Sequence, residues 1–293
     1  MKTLKFITAA VFLSFLFSCQ CKTSGSCCSK TSCCVKTEKK IALQLYSVRK
    51  DIKEDFKGTI AALAAMGYKD VETANYKDGL FYGLTPEEFK AELDAVGLNA
   101  ISSHTSYPLA EDIGKTDWVA VWNWWDTCIA AHKAVGMKYL VVPWLSVPKT
   151  LADLNAYCDY FNQIGEKCNQ AGITFGYHNH AHEFQQVEEE TMYDFMLQNT
   201  DPEKVFFQMD VYWTVMGQKS PVEYFNSYPG RFKVLHIKDA KELGESGMVG
   251  FDAIYKYIET AGAVYSVIEV EKYNFEPLES VKKSLEYLKN APF

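Results

Sequence analysis

The sequence is poor in the features that settle a protein's class at a glance. Histidine accounts for only 6 of 293 residues, and no stripe of lysine and arginine offsets a formal charge of −7. Acidity without a basic face argues against nucleic acid as a partner. No glycine fingerprint follows the first strand-like run, LQLYSVRKD, which argues against an open dinucleotide-binding sheet. Cysteine is plentiful only in appearance. Six of the nine lie in residues 19–34, leaving Cys128, Cys158 and Cys168 to the body. A chain of this length needs no disulfide staples to hold a core, so the three read as buried thiols, or as one pair and a spare.

The N-terminal run MKTLKFITAAVFLSFLFSC has Lys2 and Lys5, then an apolar stretch, then a cysteine. It is too short and too abruptly ended for a membrane span of about 20 residues and reads as an export signal. Leu16-Phe17-Ser18-Cys19 resembles a bacterial lipobox. On that resemblance residues 1–18 are a lipoprotein signal peptide and Cys19 carries the lipid that ties the protein to a membrane. The product then sits in the bacterial cell envelope, facing the periplasm. An ordinary cleaved signal with a released product is the alternative. Residues 19–38, CQCKTSGSCCSKTSCC and the residues after it, are expected to be a flexible tether, although their cysteine pairs could bind a metal or cross-link. Loss of the signal takes the formal charge to −9. The remaining residues, 39–293, suit one large domain.

From Lys40 onward, short β-branched or aromatic runs alternate with longer helical patterns. The strand candidates are IALQLYS, YKDVET, NAISSH, KYLVVPW, ITFGYHN, VFFQMD, FKVLHIK and AVYSVIEV. Thr85-Pro86-Glu87-Glu88 is a capping box with proline at the first helical position. Gly67, Gly97, Gly136, Gly172 and Gly262 each fall just before a strand, where a helix-ending glycine belongs. Eight such alternations predict a single-domain α/β fold, the (β/α)₈ TIM barrel.

A barrel places its chemistry at the C-terminal ends of its strands. Those ends carry Glu72, His104, Trp144, His178, Asp210, His236 and Glu269. Side chains two apart share a face of a strand, which groups His178 with His180, His236 with Lys238 and Glu269 with Glu271. Taken singly, a strand-end histidine is commonly structural, and Asp210 could simply cap the next helix. Four consecutive strands ending in His178, Asp210, His236 and Glu269 are different, because burying these groups together without a cation is costly. Mixed imidazole and carboxylate donors suit one divalent Mn, Zn, Co or Fe ion better than Ca²⁺. In the stretch FGYHNHAHEF, His178 is then a ligand and His180 a second ligand or a substrate contact. His182 and Glu183 are a turn around the site, and Asn179 faces away from the lumen. His132, in CIAAHKAVG, is expected on a helix surface. Glu72, His104, Trp144 and Trp213 are expected to contact substrate, with Trp144, Trp213 and Tyr46 as stacking surfaces.

At these residues the chain resembles the xylose-isomerase-like TIM barrels, the group that contains sugar phosphate isomerase/epimerases, tagatose epimerase, inosose dehydratase and endonuclease IV. The matching pieces are LQLYSVR, GYKDVE, SSH, YHNHAHEF, MDVYW, HIKD, GESGMVGFDAI and VIEVE. The resemblance implies one divalent metal on the residues that end strands five to eight, here His178, Asp210, His236 and Glu269. Epimerases of the group generally have glutamate at the strand-five position and pair it with the strand-eight glutamate to move protons. His178 stands there instead, which puts the two-glutamate mechanism in doubt and leaves metal binding intact.

The expected activity is a divalent-metal-dependent sugar isomerase or epimerase, working by α-proton abstraction and an enediolate on a free sugar, keto-sugar or sugar derivative. Glu269, Glu271, His180 or a Lys238 of lowered pKa is the base. The alternatives are a metal-dependent lyase or hydratase on keto-glycosides and a non-catalytic, lipid-anchored sugar-binding protein. An endonuclease-like activity would need more metal ligands and a basic face. Phosphate is disfavoured, since DAKELGESGMVG and EKYNFEPLES offer no compact glycine cradle or cationic fork. A homodimer is possible for a barrel of this kind.

Overall fold

A computed structural model describes residues 39–293. The expected signal peptide, Cys19 and the tether lie outside the described residues. All eight anticipated strands form: β1 (Ile41–Gln44), β2 (Asp70–Thr73), β3 (Asn99–His104), β4 (Tyr139–Val142), β5 (Thr174–His178), β6 (Val205–Asp210), β7 (Val234–Lys238) and β8 (Tyr265–Glu269). Each pairs in parallel with its sequence neighbours, and β1 pairs with β8 to close the barrel. No helix of the described residues is long and apolar enough to cross a membrane.

The helices start and stop where local chemistry dictates. Thr85 and Glu88 form the capping box before Pro86–Val96. Gly67, Gly97, Gly136, Gly172 and Gly262 each end a helix in the left-handed conformation that a Cβ would strain.

Two layers of apolar packing follow from strand alternation. The outward-facing residues meet the helices in the main core. Inside the barrel a smaller cluster, including Ala42, Ile101, Val141, Phe206, Val234 and Val267, fills the lumen. Gly176 makes this possible, because a Cβ there would lie 2.5 Å from the Phe206 ring. One step of two residues further along β1, β6, β7 and β8, the lumen turns polar: Gln44 follows Ala42, Gln208 and Asp210 follow Phe206, His236 and Lys238 follow Val234, and Glu269 follows Val267. The apolar plug therefore forms the floor of the site.

Cys128, Cys158 and Cys168 are free and buried. His132 corrects an expectation. It is fully buried on the helix Trp118–Val135, with Tyr76 and Phe81 of a short hairpin after β2 against its ring at 4.7 and 4.8 Å. Its Nδ1 donates to the Cys128 carbonyl at 2.7 Å, and burial pushes its pKa down to about 4.

Candidate metal centre and active site

The C-terminal ends of β5 to β8 bring His178, Asp210, His236 and Glu269 together, all buried, each with a donor atom within 4.8 Å of the others. Register produces the convergence: Asp210 is level with His236, and Lys238 with Glu269. Asp210 also caps the short helix Val211–Met216, accepting the Trp213 N–H on Oδ1. The helix-cap and ligand readings of Asp210 are thus compatible, because its Oδ2 stays buried without a hydrogen-bond partner among the described residues. His178 Nδ1 is orphaned in the same way. Buried polar atoms are rarely left so. Two orphans in a mixed imidazole and carboxylate set fit a divalent cation of the Zn, Mn, Co or Fe type.

Beneath the cluster lies a polar network that strand-end reasoning only partly anticipates. Glu72, expected to touch substrate, is fully buried with both oxygens engaged. Its Oε1 accepts from Gln44 Nε2 at 2.8 Å and from His236 Nε2 at 2.6 Å, and its Oε2 accepts from Gln208 Nε2 at 2.6 Å. A register shift between Val71 and Glu72 interrupts the pairing of β2 with β3 at this residue. Gln208 also accepts from His104 Nε2 at 2.6 Å, and His104 lies 3.1 Å from Glu72. Since a carboxylate only accepts, His236 donates from Nε2 to Glu72 and from Nδ1 to Glu269 Oε2 at 3.4 Å, and Nδ1 is the nitrogen that would give up its hydrogen to a cation at the cluster. That is the carboxylate–histidine arrangement that orients a metal ligand. Gln44 and Gln208 are absent from the sequence-level site. Gln208 carried a signal, two residues before Asp210 on the same face.

The electrostatics sort these groups. Burial alone would raise the Glu72 carboxyl, but His104 and His236 outweigh it and hold the pKa at about 2. Glu269 is likewise driven below the usual carboxylate range against its burial, by Lys238 and His236. Asp210 moves the other way: burial lifts it to about 7, opposed by Lys238. His236, whose burial disfavours charge, is raised to about 10 by Glu72 and Glu269. Burial depresses His178 strongly, helped by His236 and His104.

Lys238 departs from the expected base of lowered pKa. Burial pulls it down, yet Glu269, Asp210 and Glu271 together push it up. Its Nζ lies 3.5 Å from Glu269 and 2.7 Å from Glu271, so it is an ammonium among carboxylates. His180 is the complementary group. Burial lowers it to about 4, which leaves a neutral imidazole at pH 7. Its ring stands 4.9 Å from that of His178.

The loop after β5 is fixed from behind. Glu183, in the turn His182–Phe184, accepts the Tyr177 hydroxyl at 2.7 Å and the His180 N–H at 2.8 Å. His182 Nε2 donates to the Leu145 carbonyl at 2.8 Å. Asn179 faces away from the lumen as expected, accepting the Asp210 N–H and donating to Thr214. Trp144 lies past the end of β4, 54% exposed, its ring 5.0 Å from His180 and 4.2 Å from His182. Trp213 is 5.7 Å from His180, so both indoles border that histidine.

The barrel is similar to proteins already characterised in structure or sequence. Two solved structures of sugar phosphate isomerase/epimerases from Parabacteroides distasonis ATCC 8503 are similar over nearly their whole length. One is 36% identical, covering 87% of this chain and 99% of that one with a TM-score of 0.79; the other is 33% identical, covering 90% and 98% with a TM-score of 0.81. Among curated proteins, an inosose dehydratase from Lacticaseibacillus casei is 24% identical over 152 residues, 43% of this chain, so the match spans half the length of that relative. The sequence pattern of one family matches residues 60–291, and the chain belongs to that family, the xylose isomerase-like TIM barrels.

Proposed function

We propose that this protein is a divalent-metal-dependent isomerase or epimerase of an unphosphorylated sugar, keto-sugar or sugar derivative. The observation that carries the reading is the buried quartet His178, Asp210, His236 and Glu269 with its two orphaned donors, set beside a neutral His180 and a cationic Lys238. Those four residues would hold the cation. A divalent ion there supplies a Lewis acid that polarises a carbonyl and acidifies the neighbouring C–H.

The remaining work belongs to side chains. Glu72 holds the His236 ring in one tautomer, and Asn179 with the Trp213 N–H holds Asp210. His180, neutral at pH 7, takes the proton from carbon. Lys238 Nζ delivers a proton to the intermediate from the β7 side and is recharged through Glu271 at the rim. Because acceptor and donor come from different strands, return of the proton to another face or to the adjacent carbon gives epimerisation or isomerisation. The Trp144 and Trp213 rings offer the apolar faces on which a sugar ring stacks.

Support for an unphosphorylated substrate comes from the loop after β7, where TIM barrels commonly bind phosphate. Its backbone N–H groups are already used: those of Ala240, Gly244 and Ser246 point at the Asp239 carboxylate. An internal anion thus fills the place a phosphate would need.

A second reading, elimination of water or of a glycosidic group, is favoured by the Lys238–Glu271 pair, which can protonate a departing oxygen. One experiment separates these readings. Keto-sugars incubated in D₂O with the Mn²⁺-loaded protein should gain deuterium at the α-carbon, and Asp210→Ala should abolish it. Dehydrated product would favour elimination. No exchange into any keto-sugar would refute both. We further propose that Cys19 is lipidated and anchors residues 39–293 to the periplasmic side of the cell envelope; failure of labelled palmitate to enter the protein, or its persistence in Cys19→Ala, would refute this.

A further inference from the structure

The mouth of the barrel carries two cavities beyond the metal cluster, and their linings differ in charge. The smaller, about 240 Å³ above the ends of β3 and β4, is walled by aromatic groups such as Tyr107, Trp144 and Tyr157, with no charged side chain. The larger, about 470 Å³, lies above β1 and β2 and is lined by Tyr46, Arg49, Lys53, Phe56, Asn75 and Tyr82 among others. Its only charges are positive, in a protein of formal charge −7.

Among the described residues no carboxylate lies within 4.0 Å of Arg49 or Lys53, whereas Lys57 and Lys90 nearby both have partners. Arg49 is nevertheless held firmly. Its Nη1 donates to the Tyr46 carbonyl and to the Tyr273 hydroxyl, both at 2.9 Å, and its guanidinium lies 4.2 Å over the Tyr46 ring. Tyr273 is fixed in turn by donating to the Ser47 carbonyl at 2.9 Å. Among the described residues the other edge of the guanidinium, Nε with Nη2, has no acceptor, since both of its hydrogen bonds leave from Nη1. A planar fork of two parallel N–H groups, preorganised and unpaired, matches a carboxylate.

We propose that this cavity is a carboxylate-binding subsite, recognising a uronate-type group through Arg49 and Lys53 with the sugar face against Tyr46. The proposal deepens the sugar-isomerase reading by naming the substrate class as an acidic sugar or an acidic glycoside. The wall of the cavity continues directly from the site, since Leu45 follows Gln44 and Ala74 follows Thr73 at the ends of β1 and β2. A phosphate would use the same fork, so the two anions are arms of the test.

Binding of D-glucuronate, D-glucose and glucose 6-phosphate to the whole protein in EDTA, followed by saturation-transfer NMR and calorimetry, decides the matter without reference to turnover. Glucuronate should bind at least tenfold more tightly than either competitor. Arg49→Gln should weaken it tenfold or more, and Lys53→Gln, at an exposed position that leaves the fold intact, should weaken it severalfold. Asp210→Ala should leave it unchanged. Equal binding of glucose, tighter binding of glucose 6-phosphate, or indifference to both cation substitutions would each overturn the proposal. So would loss in Asp210→Ala alone, which would put the anion at the metal cluster. If the isomerase reading fails, deuterium exchange is absent while Arg49-dependent glucuronate binding persists.

Discussion

Glu72→Gln keeps the shape of the group on which the site rests and removes its charge. In the native protein one carboxylate accepts three hydrogen bonds, from Gln44, Gln208 and His236. An amide can accept on one side only. If its NH₂ takes the Oε2 position it meets the NH₂ of Gln208; in the Oε1 position it meets Gln44 and the His236 N–H. The least costly escape flips Gln208, which then presents its NH₂ to His104 and forces that ring to give up its Nε2 hydrogen. Three charge-assisted bonds become neutral ones, at about 1 kcal/mol each, so the variant should lose about 3 kcal/mol. In a domain of this size that lowers Tm by roughly 10 °C. With His236 donating to a neutral amide oxygen in place of a carboxylate, affinity for Mn²⁺ should fall about 10- to 100-fold. Thermal melts in EDTA, with Mn²⁺ titrations by calorimetry on the same samples, read both effects. Unchanged Mn²⁺ affinity despite the lower Tm would refute the claim that Glu72 orients a metal ligand; unchanged Tm would refute the network itself.

Other expectations follow from the same structure. His132 has a folded pKa of about 4 against an ordinary 6.5, so the unfolded chain binds the extra proton between these values. Stability should fall by roughly 3 kcal/mol as pH drops from 6.5 to 4 and then level off, and urea unfolding of His132→Phe should lack that one-proton share of the slope; parallel pH profiles would contradict it. Gly176→Ala forces a methyl group into the Phe206 ring and should cost about 1–3 kcal/mol, a loss that Phe206→Leu in the same chain should partly restore in chemical denaturation. Lys238→Met should leave Mn²⁺ bound within a few-fold and reduce proton exchange by about 10²-fold or more, whereas loss of metal in that variant would make Lys238 a structural counter-ion.

The barrel was legible because its signals are local. Five helices end at a glycine in a left-handed conformation just before a strand, and the strands are short β-branched or aromatic runs, so eight alternations can be counted without knowing any contact. The quartet was legible for a related reason: strand ends and a period of two are enough to bring Asp210, His236 and Glu269 to one rim. What lay hidden depends on partners remote in sequence. Glu72 reads as a substrate contact until Gln208, 136 residues away, is seen to donate to it across the lumen. His132 reads as a surface residue because its cover comes from Tyr76 and Phe81 of a hairpin that no periodicity announces. Lys238 reads as a base until the three carboxylates around it are counted together.

The central claim, a divalent cation held by His178, Asp210, His236 and Glu269, meets its most direct test in elemental analysis of the purified protein beside an Asp210→Ala, His236→Ala double variant. The account predicts about one transition-metal ion per chain in the native protein and none in the variant, with the native content restored by Mn²⁺ or Zn²⁺ after EDTA treatment. A native protein that stays metal-free after dialysis against both ions, or a double variant that retains a full equivalent, would contradict it.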